Sequence, residues 1–180
     1  MIREVSEALR DLIQQATPDL GSWVVLHSLS QGEKVAVPDN KAILALIAVA
    51  EHPHLRNRPL VEGQAGLVRA PMSLQLTYLV TYIGDHDESQ ARLGRIVQAF
   101  HTYPVLRPPE LTPPLSDEVE SLAIRLQAPS ADERNQVWGA LGRSGRLSLF
   151  YEVDVAPVPV LEREGAGRVR EHRIDYVGAP

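Results

Sequence analysis

A chain of 180 residues without cysteine excludes a disulfide framework, a thiolate nucleophile and a thiolate metal site. Its 23 acidic and 18 basic side chains give a formal net charge of −5, which argues against a general nucleic-acid binder, because phosphate neutralisation needs concentrated positive charge. Hydrophobic residues make up 44% of the chain, so it can bury the core of one globular domain without metals.

The N-terminal segment is charged from its first residues and lacks the apolar stretch of a signal peptide. The longest apolar run, Ala42 to Ala50, is too short to cross a bilayer. We therefore expect a protein that is made and kept in the cytoplasm unless a larger particle carries it out, with no membrane partner.

Two elements are predicted before residue 50. Apolar residues recur at helical spacing from Ile2 to Gln15, and Thr17-Pro18 ends this amphipathic helix. Trp23 to His27 is a predicted strand. The aliphatic run Ile43 to Val49 is typical of a strand covered on both faces, although its alanines leave a buried helix as the alternative.

The middle of the chain combines a predicted loop, a strand and a helix. Arg56 to Ala70 carries Pro59, Gly63 and Gly66 among charged residues and is predicted to be a long exposed loop. Met72 to Tyr82 begins with strict alternation and indicates a strand. The acidic residues of Asp85 to Ser89 are favourable at the start of a helix, whose apolar stripe is Leu93, Ile96, Val97 and Phe100.

The third part of the chain begins with repeated prolines from Pro104 to Pro114, which predict an extended crossing segment. Val119 to Gln127 is a possible strand. Pro129 to Glu133 resembles a capping box that opens a short helix through Leu141. Leu147, Leu149, Tyr151, Val153 and Val155 alternate with Ser148, Phe150, Glu152 and Asp154 and give the clearest strand signal.

The order of these elements predicts an α/β (α+β) fold in which helices pack on a mixed β-sheet. We expect one domain over residues 1–161. Residues 162–180 are rich in Arg, Glu and Gly, with Ile174, Tyr176 and Val177 as their late apolar cluster, and are predicted to be a charged C-terminal tail or a terminal strand.

Residues that could carry chemistry are few. His52-Pro53-His54 offers two imidazoles but lacks the further ligands of a zinc site, so a solvated or capping role is favoured. Asp85-His86-Asp87-Glu88 lacks the spacing of a calcium loop, and a helix start explains it better. Glu152 and Asp154 are expected to face water, and Trp138 to anchor the core. We therefore predict no enzyme activity, no cofactor and no metal.

Several stretches resemble, in consistent order, the tail-terminator (tail-tube cap) proteins of extracellular contractile injection systems, which are related to contractile-phage tail-completion proteins. The resemblance covers residues 1 to about 160. It is carried by the opening helix Met1 to Leu9, the strand Ile43 to Val49 with the later Arg56-Asn57 pair, Arg69 to Thr81, Leu93 to His101 with Pro104 to Leu106, and Trp138 to Leu141 with Leu147 to Val153.

The resemblance implies a tail-terminator-like fold and a structural cap. Such a cap forms a homohexameric ring at the distal end of a phage-tail-like particle, binds the tail tube and sheath proteins, and ends their polymerisation. Another ring-forming phage tail or neck assembly protein is the alternative. The protein would assemble in the cytoplasm and then be part of the particle.

Two groups of residues are predicted to form partner interfaces. Arginines on exposed loops are common in interfaces, and Arg56, Asn57, Arg58 and Arg69 bracket the predicted glycine-containing loop. Ile174 and Tyr176 alternate as in a strand that is added to the sheet edge of a neighbour.

Overall fold

The computed structural model describes residues 1–31, 36–53, 61–63, 66–68 and 72–158. Two short 3₁₀ helices lie at Pro18–Leu20 and Pro108–Glu110. The helices are α1 (Ile2–Ala16), α2 (His86–Thr102), α3 (Leu115–Glu118) and α4 (Ala131–Ala140). The strands are β1 (Val24–Leu26), β2 (Lys41–Glu51), β3 (Val61–Gly63), β4 (Gly66–Val68), β5 (Met72–Ile83), β6 (Val105–Leu106), β7 (Leu122–Gln127) and β8 (Ser148–Val158).

Six of the described strands form one mixed sheet in the order β1-β2-β5-β8-β7-β6. β1 runs parallel to β2, and every other neighbouring pair in this sheet is antiparallel. The predicted mixed sheet with flanking helices is confirmed. β1 and β6 are its edges, and they span three and two residues respectively.

The predicted loop between Arg56 and Ala70 is wrong at six residues. β3 and β4 pair antiparallel there, with Gly63 opposite Gly66. Two residues between paired strands are a hairpin signal, which the glycines and charges of this segment obscured. The remainder of that segment lies outside the described residues.

One face of the sheet is covered by α1 and α2. Val5, Leu9 and Ile13 of α1 are buried because their spacing places them on one side of the helix, as predicted. The rings of Phe100 on α2 and Tyr151 on β8 meet edge to face, with centroids 4.8 Å apart. This face holds the larger core.

The opposite face is covered in part by α4. The predicted capping box is confirmed: Ser130 Oγ accepts from the Glu133 amide, and the Glu133 carboxylate accepts from the Ser130 amide. Trp138 is buried as predicted, together with Leu79 and Phe150, and its indole Nε1 donates to Ser148 Oγ at 3.4 Å. α4 thereby builds a second, smaller core.

β2 is a strand, so the competing helix interpretation is wrong, but it is covered on both faces only in its first half. Ala42 to Ala45 are buried, whereas Ala48 to Ala50 are exposed. The register against β5 shifts between Leu46 and Ala48. The second half of this strand therefore extends beyond the helices that cover the first.

Two further predictions need correction. Leu147 opens the alternating pattern that predicts the last strand, yet β8 begins at Ser148 and Leu147 is 45% exposed. The prediction of an extended proline-rich segment holds at β6, but the segment also forms the 3₁₀ helix Pro108–Glu110, and α3 begins just after Pro114. Prolines at the first turn of short helices explain the difference, since their fixed φ suits that position.

Candidate assembly surfaces

The interface residues predicted from the sequence all lie outside the described residues. This applies to the loop group Arg56, Asn57, Arg58 and Arg69, and to the tail pair Ile174 and Tyr176. Their predicted roles stay predictions. The described part of the chain presents three other surfaces: a polar area on the sheet and two grooves beside α1.

The polar area lies on the α4 side of the sheet, beyond the helix. Arg125 of β7 lies opposite Glu152 of β8. Its guanidinium is 2.6 Å from Glu152 Oε1 and 2.6 Å from Asp154 Oδ2. Gln75 of β5 approaches the other oxygen of Asp154 at 3.4 Å. Three adjacent strands are thus joined by polar side chains where α4 provides no cover.

Electrostatics in this cluster favour the charged form of Arg125. The hydrogen bond to Glu152 is the main cause that raises the pKa of Arg125, with the charges of Asp154 and Glu152 adding to it. Glu152 and Asp154 were expected to face water, but their side chains are only 23% and 16% exposed. The period-2 pattern placed them on the polar face, and the pairing with Arg125 required the strand register, which the sequence did not provide.

This cluster is built for cross-strand pairing, and its geometry does not suggest acid–base chemistry. Both carboxylates contact one permanently charged guanidinium, so the charged groups of the cluster are already engaged with one another. His52 Nε2 lies 3.6 Å from Asp154 Oδ2. Within the ranges that the structure describes, no group of three or more His, Asp or Glu side chains is placed to hold a metal ion.

Asp85, which the sequence singled out, and the buried Tyr78 both have structural partners. Asp85 is the N-cap of α2 and accepts from the Glu88 amide at 2.8 Å, as the helix-start interpretation predicted. Tyr78 is buried, and its hydroxyl lies 2.8 Å from Ser6 Oγ. Burial raises the pKa of Tyr78 and that of Tyr151 to about 12, so both phenols stay neutral.

The first groove, called the β1 groove below, lies between the outer edge of β1 and α1. It has a volume of about 570 Å³. Arg3, Glu7, Arg10 and Gln14 line its helix side, and Ser22 with residues Val24–Leu26 line its strand side. Gln14 Nε2 donates to the carbonyl of Val24 at 3.1 Å, which fixes the helix against the strand edge.

The second groove lies on the other side of α1, next to β6. Its volume is about 410 Å³, and it is lined by Ala8, Leu12 and Ala16 of α1 together with Tyr103 and Leu106. Tyr103 is 43% exposed, and the adjacent Val105 is 41% exposed. Apolar side chains are therefore accessible at the β6 edge, at the far end of the sheet from β1.

Two solved structures share this fold. The sheath/tube terminator of the PVC extracellular contractile injection system, in its extended state, matches with a TM-score of 0.62 at 15% identity, over 100% of this chain and 64% of that one. The tube-terminating cap of the anti-feeding prophage matches with a TM-score of 0.55 at 19% identity, over 96% of this chain and 60% of that one. The chain thus spans less than two thirds of each of these structures.

A comparison with curated proteins found no match. None of the helices in the described ranges is long and apolar enough to cross a membrane. The model of the Pvc16 N-terminal domain family matches residues 4–171, about ten residues beyond the C-terminal boundary at Leu161 that the sequence suggested. Since this match covers nearly the whole chain, the protein belongs to the Pvc16 N-terminal domain family.

Proposed function

We propose that this protein is a structural cap that ends the polymerisation of tube and sheath at the distal end of a phage-tail-like contractile injection system. The observation that carries the proposal is the family match over residues 4–171. The fold shared with a sheath/tube terminator and a tube-terminating cap supports it. The partners would be the tail tube protein, the sheath protein and further copies of this chain.

The cap would be a homohexameric ring. A closed ring uses two different surfaces of each subunit, one for each neighbour. The two edges of the sheet offer such a pair, because β1 and β6 lie at opposite ends of the strand order and both are short. Exposed strand edges can pair with another chain. The ring would form in the cytoplasm and then remain in the particle.

The role would be non-enzymatic. Arg125, Glu152 and Asp154 form a charged cluster that links β7 to β8, and the contact of Gln75 with Asp154 extends it to β5, so polar pairing joins three strands. A cap needs stiff subunits with polar and apolar contact surfaces, and it needs no reacting group.

The test combines mass measurement with assembly. Purified protein is examined by light scattering alone and after addition of the tube and sheath proteins of its own system. We expect a hexamer, alone or on the tube, and particles of defined length only when the protein is present. A strict monomer that binds neither component contradicts the proposal, and a ring that binds neither supports the alternative of a neck component.

The predicted loop interface can be tested by replacing Arg56 and Arg69 with alanine. We expect weaker ring or tube binding with an almost unchanged melting temperature, because interface arginines contribute to binding and little to folding. Binding is measured by co-sedimentation with the tube. The matched control replaces Arg134 and Arg146, two exposed arginines of the described region. Equal binding by both double variants would mean that the loop arginines are merely solvated.

A further inference from the structure

The β1 groove has the features of a site for an added β-strand. Among the described strands, β1 has no neighbour on this side, and α1 forms the other wall of the groove, so an extended segment can lie between them. We propose that its occupant is the segment Glu171–Val177 of a neighbouring copy of this chain. This inference rests on the proposed ring and names the contact that links one subunit to the next.

The backbone of β1 directs hydrogen-bonding groups into the groove. The carbonyl of Trp23 accepts from Ala42 at 2.8 Å, and the His27 amide donates to the carbonyl of Leu44, so these residues point toward β2. Because alternate residues of a parallel strand point to opposite sides, the amide and carbonyl groups of Val24 and Leu26 point outward. The Val24 carbonyl accepts from Gln14, which leaves the other three groups directed at an incoming strand.

The charges on α1 complement those of the proposed strand. Arg3, Glu7 and Arg10 line the groove in the order positive, negative, positive. Glu171, Arg173 and Asp175 have the order negative, positive, negative, and period-2 alternation places them on one face of a strand.

The spacing of the two charge patterns also agrees. The seven residue steps from Arg3 to Arg10 rise about 10.5 Å along a helix. The four residue steps from Glu171 to Asp175 rise about 13 Å along a strand. Arg3 already pairs with Glu7, and Arg10 with Asp11. Each guanidinium has five N–H donors, so it can donate to a second carboxylate while it keeps its hydrogen bond to the first.

The other face of the added strand would continue the second core. Val25 of β1 packs against the core cluster beneath α4. With the charged residues directed at α1, Ile174 and Tyr176 point to the side of Val25, because successive side chains of a strand alternate between faces. The apolar cluster of the tail then covers the exposed flank of that core.

The distance between the end of β8 and the β1 groove favours a neighbouring subunit as the source of the added strand. β8 ends at Val158 opposite Met72, whereas the groove begins at Leu26, which pairs with Leu44 and through it with Val80. Eight residues along β5 and four strand spacings across the sheet separate the two points by about 33 Å. A relaxed chain of 13 residue steps, the number from Val158 to Glu171, would span about 20 Å.

Cysteine cross-linking tests the contact directly, since the chain has no natural cysteine. One preparation carries Glu7→Cys and a second carries Arg173→Cys, and the two are mixed under assembly conditions and oxidised. We expect a disulfide-linked dimer at several times the yield of a control pair. The control combines Arg173→Cys with Gln136→Cys, an exposed position on α4 at the other face of the sheet.

The remaining outcomes are decisive. A link that forms only within one chain of the double variant Glu7→Cys/Arg173→Cys assigns the groove to the subunit's own tail and overturns the proposal. Rings that assemble without the Glu7–Arg173 link, or with an equal control yield, overturn the strand addition while leaving the ring intact. Particles that show a segment of the sheath protein in the groove also overturn it. A wild-type chain that forms no ring, together with cysteine variants that form no link, refutes both the ring and this contact.

Discussion

Arg125 is the only cation within 4.0 Å of both Glu152 and Asp154 among the described residues. We predict that Arg125→Ala lowers the free energy of unfolding by about 1 kcal/mol, because two half-buried carboxylates on one strand then repel each other without a cation between them. Urea unfolding at neutral pH measures the change. High salt should make this loss of unfolding free energy smaller, because it screens the repulsion between the carboxylates.

The matched control for this prediction is Arg134→Ala on the exposed surface of α4. Its effect should stay within about 0.5 kcal/mol, as is usual for surface substitutions. Equal urea midpoints of unfolding for the two variants would show that the Arg125 cluster adds nothing to stability. A role in contacts with partners would then be the remaining explanation for the cluster.

Sequence reasoning at the residue scale succeeded where the signal is local. The Asp85 cap and the Ser130–Glu133 capping box depend on residues within four positions of each other, and both are confirmed. Arg125 was missed because its partners lie 27 and 29 positions away on another strand. Such a cluster becomes visible only when the strand register is known.

At the element scale, two glycines give predictions of opposite sign. Gly142 ends α4 with φ of +68°, and a β-carbon there would lie 2.6 Å from Gln31 Oε1. Gly142→Ala should therefore destabilise the protein by about 1 kcal/mol or more. Gly94 lies inside α2 with open space around it, so Gly94→Ala should stabilise by about 0.5–1 kcal/mol. Thermal unfolding of both variants tests the pair, and shifts of the same sign would contradict it.

The types of most elements could be predicted from the sequence, because amphipathic helices and alternating strands have distinct periods. The extent of burial along β2 could not. Ile43 to Val49 is uniformly aliphatic, yet only the first half of the strand is covered from both sides, and the register shift after Leu46 changes which residues face each side. Composition does not reveal where a covering helix ends.

At the scale of the whole molecule, the strand order was the main unknown. The sequence predicted a mixed sheet, but the placement of β8 between β5 and β7, and of β1 parallel to β2, depends on long-range pairing. This order leaves β1 and β6 as opposite edges and so determines which surfaces a ring could use. The predicted loop and tail interfaces lie outside the described residues and stay predictions.

Truncation after Leu161 tests the tail at the scale of the molecule. Among the described residues, the buried members of both core clusters lie between Val5 and Val155, and we expect the domain to fold without the tail. We expect a melting temperature within about 3 °C of the full chain, which for a domain of this size corresponds to roughly 1 kcal/mol. Assembly into rings or control of particle length should be lost, because the strand offered to a neighbour is gone. A truncated chain that unfolds or precipitates would assign the tail to its own core, and one that assembles normally would remove the tail from the ring contact.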